Sequence, residues 1–476
     1  MIYNDKRWIP LVVLLSAHLL TIVDIFIINV AIPSIQQGIS SSDSEIQLVV
    51  AMYMIGFASF LIIGGKAGDH YGRKKIFLLG MFVFMLSSVG CSIAKTAEIL
   101  IAMRFFQGVS AAFMSPQVLS FIQVLFVNHK ERTHAIGLYG ITIGLGTMLG
   151  QFLGGYLVEL KPFWVDQPWR YIFLVNIPIC ITGLFLAKIY LTESKDSSSL
   201  GMDYTGAAVL SAGLVFLIFS LTTGRDLDTI YFILSLLTSL AILTAFVLIQ
   251  GARYKKKKTV LLDFTLFKYK NFNMALLALA FFMLMLDSYF FILTLFLQKG
   301  LQLSPMKAGY FIMAQGFGFI LSSLFAAKLV LRYGKRVLIF GVILIISASI
   351  LQLFSFYHND LSFNRYAIMM IHGCGVALTL PSFANIAMKG LTENLIGNAS
   401  GVYATLQQLF GAFGIVLTGA VFYYVIKGPG DFTSYYHAFL YGMVINMTSL
   451  IGVLLILILL PKSILPTRII AKLNEN

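Results

Sequence analysis

"KAGDHYGRKKIFLLG" (66–80) and "KLVLRYGKRVLIFG" (328–341) are two versions of one pattern: a basic stretch built around Tyr-Gly, set between two apolar runs. Laying Gly72 on Gly334 gives an offset of 262 residues. A second pair, "GITIGLGTMLG" (140–150) and "GVYATLQQLFG" (401–411), aligns Gly140 with Gly401 and Gly150 with Gly411 at an offset of 261. Two independent stretches whose registers agree within one residue indicate two homologous halves, each built from several apolar segments.

The composition agrees with that reading. The chain has 476 residues, of which 58% are hydrophobic and 11% charged, with a mean hydropathy of +0.87. A soluble globular protein does not have this balance. Apolar runs of helix length predict fourteen spans near 9–31, 46–64, 76–94, 98–119, 135–157, 170–190, 204–222, 229–250, 272–297, 307–329, 337–356, 365–388, 397–425 and 437–461. The expected fold class is an all-α polytopic membrane protein. Residues 1–200 form a six-helix bundle, 201–252 two inserted helices, 253–271 a basic cytoplasmic loop, and 272–476 a second six-helix bundle.

Charge sets the orientation. Of 34 Lys and Arg, eight fall on the outer side if the N-terminus is inside: Lys95, Lys161, Arg170, Arg225, Lys299, Lys307, Arg365 and Lys427. Arg104 lies within a span and the other 25 face inward, so both termini are expected in the cytoplasm. The net charge of +14 then reflects orientation and contact with anionic headgroups, above all at "GARYKKKKTVLLDFTLFKYKN" (251–271), and nucleic acid is not an expected partner. The first apolar stretch is too long for a signal peptide and no small-residue cleavage site follows it. Cys91, Cys180 and Cys374 all fall in spans, leaving neither a disulfide framework nor a metal-binding CxxC. No phosphate-binding GxxxxGK[ST] loop is present to couple ATP, and no catalytic constellation marks an enzyme.

Against this apolar background the ionisable residues are informative. Asp24 sits in "TIVDIFIINVAIP" (21–33) and Asp287 in "FFMLMLDSYFF" (281–291), one residue from the position to which Asp24 maps. An acid near a helix centre costs about 2.5–3.5 kcal/mol on insertion scales, so it faces a bundle interior or an aqueous cavity. There it either holds a neighbouring helix by a hydrogen bond or handles a proton or cation. Arg104 in "LIAMRFFQGVSAA" (100–112) either snorkels to the headgroups or pairs with such an acid. His18 and His372 also fall in spans, where a packing role and a proton relay are both open, and neither has clustered partners for a metal.

"GKAGDHYGRKK" (65–75) predicts a tight cytoplasmic loop. Gly65 and Gly72 allow the turns, Asp69 accepts from a helix N-terminus, and Arg73, Lys74 and Lys75 hold the loop at the inner face. Its copy carries Leu331 in place of the acid. In span 5, Gly146, Gly150 and Gly154 recur at four-residue spacing and form a bare ridge for close helix approach.

These stretches resemble the major facilitator superfamily, specifically its fourteen-span drug:proton antiporters. "TIVDIFIINVAIPSI" is similar to that family's span-1 signature, "GKAGDHYGRKK" to its loop motif and "RFFQGVSAA" to its span-4 arginine motif; "WRYIFLVNIPI" (169–179), "DYTGAAVLSAGLVFLIFSLTTG" (203–224) and "ASGVYATLQQLFGAFG" (399–414) match as well. The resemblance implies that Asp24 couples protons or cationic drug, that Arg104 assists proton transfer, and that Asp69 and Arg73 form a latch favouring the outward-facing state. It implies alternating access between two halves, driven by a proton gradient without a cofactor, in a monomer of the plasma or inner membrane. The span-5 motif departs from the pattern: Gly150-Gln151-Phe152-Leu153-Gly154-Gly155 has Gln151 where the family has proline, which removes a kink and adds a polar side chain. Asp287 is likewise outside the family pattern.

The resulting expectation is a proton-coupled exporter of lipophilic cationic compounds. The 41 Phe residues suit an aromatic cavity. Two alternatives stay open: a lipid or fatty-acid translocase that binds a headgroup with Arg104, and a dedicated exporter or importer of one polar metabolite or siderophore using Asp287, His372 and Gln151.

Overall fold

A computed structural model describes residues 7–161, 163, 165–195, 203–224, 228–256, 258–357, 363–426 and 430–460. Every regular element among these residues is a helix, and fourteen of the helices are long and apolar enough to cross a membrane. We number these α1 (Trp8–Gly38), α2 (Asp43–Tyr71), α3 (Arg73–Ile93), α4 (Ala97–Leu125), α5 (His134–Val158), α6 (Pro168–Tyr190), α7 (Tyr204–Thr223), α8 (Thr229–Lys255), α9 (Lys270–Gly300), α10 (Pro305–Tyr333), α11 (Lys335–Phe356), α12 (Asn364–Met388), α13 (Leu395–Val425) and α14 (Phe432–Leu459). The positional expectations for Lys6, Arg225, Lys257, Lys427, Lys462, Arg468 and Lys472 lie outside the described residues.

Most helices run several residues past the apolar runs, because a helix continues into the headgroup region until a cap stops it. Ser42 starts α2 with a capping box, accepting from Glu45 N at 3.2 Å while the Glu45 carboxylate accepts from Ser42 N at 2.7 Å. Ser304 precedes Pro305 at the first position of α10. Asp431 accepts from Ser434 N at 2.9 Å and starts α14 five residues before the apolar run.

The helices group into two contact units, Met1–Asp263 and Phe264–Asn476. In the first, α2 packs on α4, α1 on α5, and α3 on α4 and α6, with α7 lying on α2 and α8 on α7. In the second, α10 packs on α12, α9 on α13, and α11 on α12 and α14. The same pairs recur in both units, as the internal repeat predicts.

The 65–75 stretch differs from the expected loop. Gly65 lies within α2 and Arg73 already opens α3, so Gly72 alone separates the helices, at φ +110°. Gly334 separates α10 from α11 in the same way, at φ +61°. One residue in a positive-φ conformation turns the chain, and only glycine adopts it without strain. Asp69 does not accept from a helix N-terminus; it lies on the last turn of α2, within reach of the Arg73 guanidinium at 2.8 Å. The N-terminus of α3 is held instead by Glu193, whose carboxylate accepts from Lys74 N at 3.0 Å and Lys75 N at 3.2 Å. In the second unit, where Leu331 replaces the acid, Lys335 Nζ donates to the carbonyls of Leu457 (3.2 Å) and Ile458 (2.9 Å) at the end of α14. A Cβ on Gly72 would come within 2.7 Å of the Glu193 carboxyl carbon. Gly72→Ala is therefore expected to cost about 1–3 kcal/mol, read as a lower thermal unfolding midpoint of the purified protein; an unchanged midpoint would show that the turn is not strained by a side chain.

Candidate functional site

Asp24 lies on α1, sixteen residues from its start, and is fully buried. Arg104 lies on α4, also buried, and the two meet: Arg104 Nη1 is 2.6 Å from Asp24 Oδ2. The snorkelling alternative for Arg104 is thereby excluded in this conformation, since its side chain is 1% exposed.

The pair is enclosed by five helices. From α4, Gln107 Nε2 donates to Asp24 Oδ1 at 2.8 Å, and from α6, Asn176 Nδ2 donates to the same oxygen at 2.8 Å. Both amides also donate to Ser88 Oγ on α3, at 2.9 and 3.2 Å. Arg104 Nη1 donates to Gln107 Oε1 at 2.7 Å, and Arg104 Nε to the Val49 carbonyl of α2 at 3.3 Å. The Tyr53 ring stacks on the guanidinium, 4.4 Å from centroid to carbon. Donors buried among apolar helix surfaces turn toward the carboxylate because an unpaired buried polar group is costly.

This arrangement has a definite chemical capacity. Oδ1 already accepts two hydrogen bonds and Oδ2 one, so a proton arriving on Asp24 takes the remaining lone pair of Oδ2 and weakens the charge-assisted bond from Arg104. A neutral Asp24 also leaves the buried guanidinium without its counter-charge. Protonation at this one atom pair therefore perturbs five helices together.

The other expected residues do not join this network. Gln151 on α5 is fully buried, and neither its amide oxygen nor its nitrogen has a hydrogen-bond partner. Asp287 on α9 is 7% exposed, and its Oδ2 has no partner. His372 on α12 is buried with both ring nitrogens unpartnered, and its ring stacks on Tyr289 at 4.3 Å. His18 stacks on Tyr139 at 3.9 Å in the first unit, again with unpartnered nitrogens. Among the described residues no cluster of His, Cys, Asp or Glu could hold a metal ion.

The α5 ridge meets α1 as the glycine spacing predicts. A Cβ on Gly146 would lie 2.6 Å from Ile22 Cγ2, one on Gly150 2.8 Å from Phe26 Cβ, and one on Gly154 2.5 Å from the Ile27 carbonyl oxygen; Gly155 is buried beside them. Four partners of the Asp24 site were not singled out in the sequence: Gln107, Asn176, Ser88 and Tyr53. Gln107 had a signal, being three residues after Arg104 and so on the same helix face. Asn176 had one too, as the polar residue within the apolar run "IFLVNIPI" (172–179). Ser88 and Tyr53 had none.

Comparison with known proteins agrees with this architecture. Residues 14–415 match the sequence profile of the Major Facilitator Superfamily. The chain is 30% identical to the probable actinorhodin transporter of Streptomyces coelicolor, over 88% of this chain and 73% of that one. It is 28% identical to the puromycin resistance protein pur8 of Streptomyces alboniger, over 95% and 90%. The fold superposes on the partially occluded, inward-open xylose transporter XylE from E. coli with a TM-score of 0.64 at 13% identity, over 96% of this chain and 100% of that one. The chain is thus an integral, multi-pass membrane transporter and not an enzyme, and it belongs to the Major Facilitator Superfamily.

Proposed function

We propose that the protein is a proton-coupled secondary active exporter of lipophilic cationic compounds. Asp24 is its coupling acid and Arg104 the counter-charge. The observation that carries this reading is the sealed Asp24–Arg104 pair, at 2.6 Å, joined to α3 and α6 through Gln107, Asn176 and Ser88. A buried ion pair often stabilises a fold no more than apolar residues of the same volume would, whereas one that can be split by a proton is a switch. Deprotonated Asp24 can be balanced by Arg104 or by a cationic substrate, and protonation removes the attraction for either. The names of the relatives support export of small organic molecules, as an actinorhodin transporter and a puromycin resistance protein.

In this reading the proton gradient is the energy source and no cofactor takes part. The monomer lies in the cytoplasmic membrane with both termini inside, following the distribution of Lys and Arg. Asp69 and Arg73 act as the latch of the 65–75 stretch, and Gln151, Asp287 and His372 contribute polar contacts to substrate. The test is proton movement in vesicles of known orientation. Wild type is expected to release protons when a lipophilic cation such as ethidium is added, and Asp24→Asn to lose that release by about 10²-fold or more. No response of wild type to any cation would overturn the export reading and point to a lipid or a single metabolite as substrate.

A further inference from the structure

At the start of the inserted pair α7–α8 stands a third buried acid, besides Asp24 and Asp287, for which the transport reading has no use. Asp203 stands just before α7, and its side chain is fully buried. Its Oδ1 accepts from Gly206 N at 2.8 Å, capping α7, and lies 3.3 Å from Arg253 Nη2. A cap alone would be served as well by Ser or Asn, without burying a charge. The second oxygen gives the acid its purpose: Oδ2 accepts from Gln250 Nε2 of α8 at 2.6 Å. That contact orients the Gln250 amide so that its Oε1 accepts from the main-chain N–H groups of Leu261 (2.8 Å) and Leu262 (3.3 Å).

Lys258 N still donates to the Arg253 carbonyl of α8, at 3.0 Å, but residues 259–262 have left the helix and their backbone groups need partners from elsewhere. Three side chains supply them. Besides Gln250, Arg253 Nε donates to the Thr259 carbonyl at 3.1 Å and Lys66 Nζ to the Val260 carbonyl at 2.9 Å. Leu261 is buried with Ile63 of α2, Ala207 of α7 and Phe246 of α8. The hydroxyls of Tyr71 and Tyr204 meet at 2.9 Å beside this cluster. Lys66 and Tyr71 both belong to the 65–75 stretch, so the segment leading out of the first unit is bound to the end of the helix that carries that motif.

We infer that Asp203 and Gln250 form a clasp that fixes residues 258–262 to α2, so that the α7–α8 hairpin, Lys66 and this connecting segment move as one body during transport. Asp203 and Gln250 are positioning residues in this scheme. Their effect on turnover rests on the transport function proposed above; the clasp itself does not. Both oxygens of Asp203 accept, so an Asn at 203 must turn its NH2 group toward a donor whichever way it is placed. Glu at 250 sets two carboxylates against each other. The pair of changes together restores a donor facing an acceptor, and the second Glu oxygen still accepts from Leu261 and Leu262.

The test is amide hydrogen exchange of the purified full chain, with transport measured in parallel. Asp203→Asn and Gln250→Glu singly are expected to speed exchange at Leu261 and Leu262 by about tenfold or more, while peptides of α11 stay as in wild type and report an intact fold. D203N/Q250E is expected to recover protection to within about threefold of wild type. Ethidium transport by the single variants is expected to lose kcat with KM unchanged, and the double variant to recover it. Unchanged exchange in the single variants, or no recovery in the double, would overturn the clasp. Faster exchange with unaltered kcat would overturn the concerted movement. A wild type that moves no cation would count against the export reading alone, and the exchange comparison would still decide the clasp.

Discussion

Arg104→Leu is expected to destabilise the protein by about 3–5 kcal/mol, the range for removing one partner of a buried ion pair. The leucine fills part of the space but leaves Asp24, fully buried, with only the neutral donors Gln107 and Asn176. It also leaves Gln107 Oε1 with only the Cys91 thiol as donor, at 3.8 Å, and removes the cation beneath the Tyr53 ring. The measurement is the thermal unfolding midpoint of the purified protein. D24L/R104L supplies the comparison: with both charges gone, most of the lost stability is expected to return while proton coupling stays absent. Equal stability of Arg104→Leu and wild type would mean that Asp24 takes up a proton or finds another counter-charge.

Gly150→Leu is expected to have an effect of similar size by a steric route. The Gly150 backbone sits against α1 so closely that even a Cβ would lie 2.8 Å from Phe26 Cβ, 2.9 Å from the Val23 carbonyl oxygen and 3.1 Å from Ile27 N. Two of these three contacts are backbone, which cannot rotate away, so a leucine must push the helices apart. Overpacking of a rigid interior costs about 1–3 kcal/mol and more where backbone is displaced. Val23 adjoins Asp24 in sequence, so the same displacement moves the acid relative to Arg104, and transport is expected to fall further than stability alone would lower it. Gly140→Leu is the control, since a Cβ there meets nothing within 4 Å; it is expected to change stability by about 0.5 kcal/mol or less. Equal effects at the two positions would remove the steric argument.

Both predictions use residues that the sequence marks but whose partners it does not name. The positions of fourteen helices and the repeat of two halves are legible in the sequence, which also marks Asp24, Arg104 and the α5 glycines. Each rests on a local property: the length of an apolar run against bilayer thickness, the cost of one charge in hydrocarbon, or a four-residue spacing on one helix. The one-residue turn at Gly72 was obscured because basic residues read as loop, although Arg73, Lys74 and Lys75 lie in the first turn of α3. There Glu193, more than a hundred residues on, takes the N–H groups assigned to Asp69.

Only tertiary structure decided that Asp24 meets Arg104 80 residues away and Asn176 152 residues away, and that Gln151, Asp287 and His372 stay outside that network. The physical reason is that a membrane helix is apolar on every side, so periodicity does not say which face meets protein and which meets lipid. What identifies the inward face is a polar partner on another helix, and that partner is known only once the helices are packed.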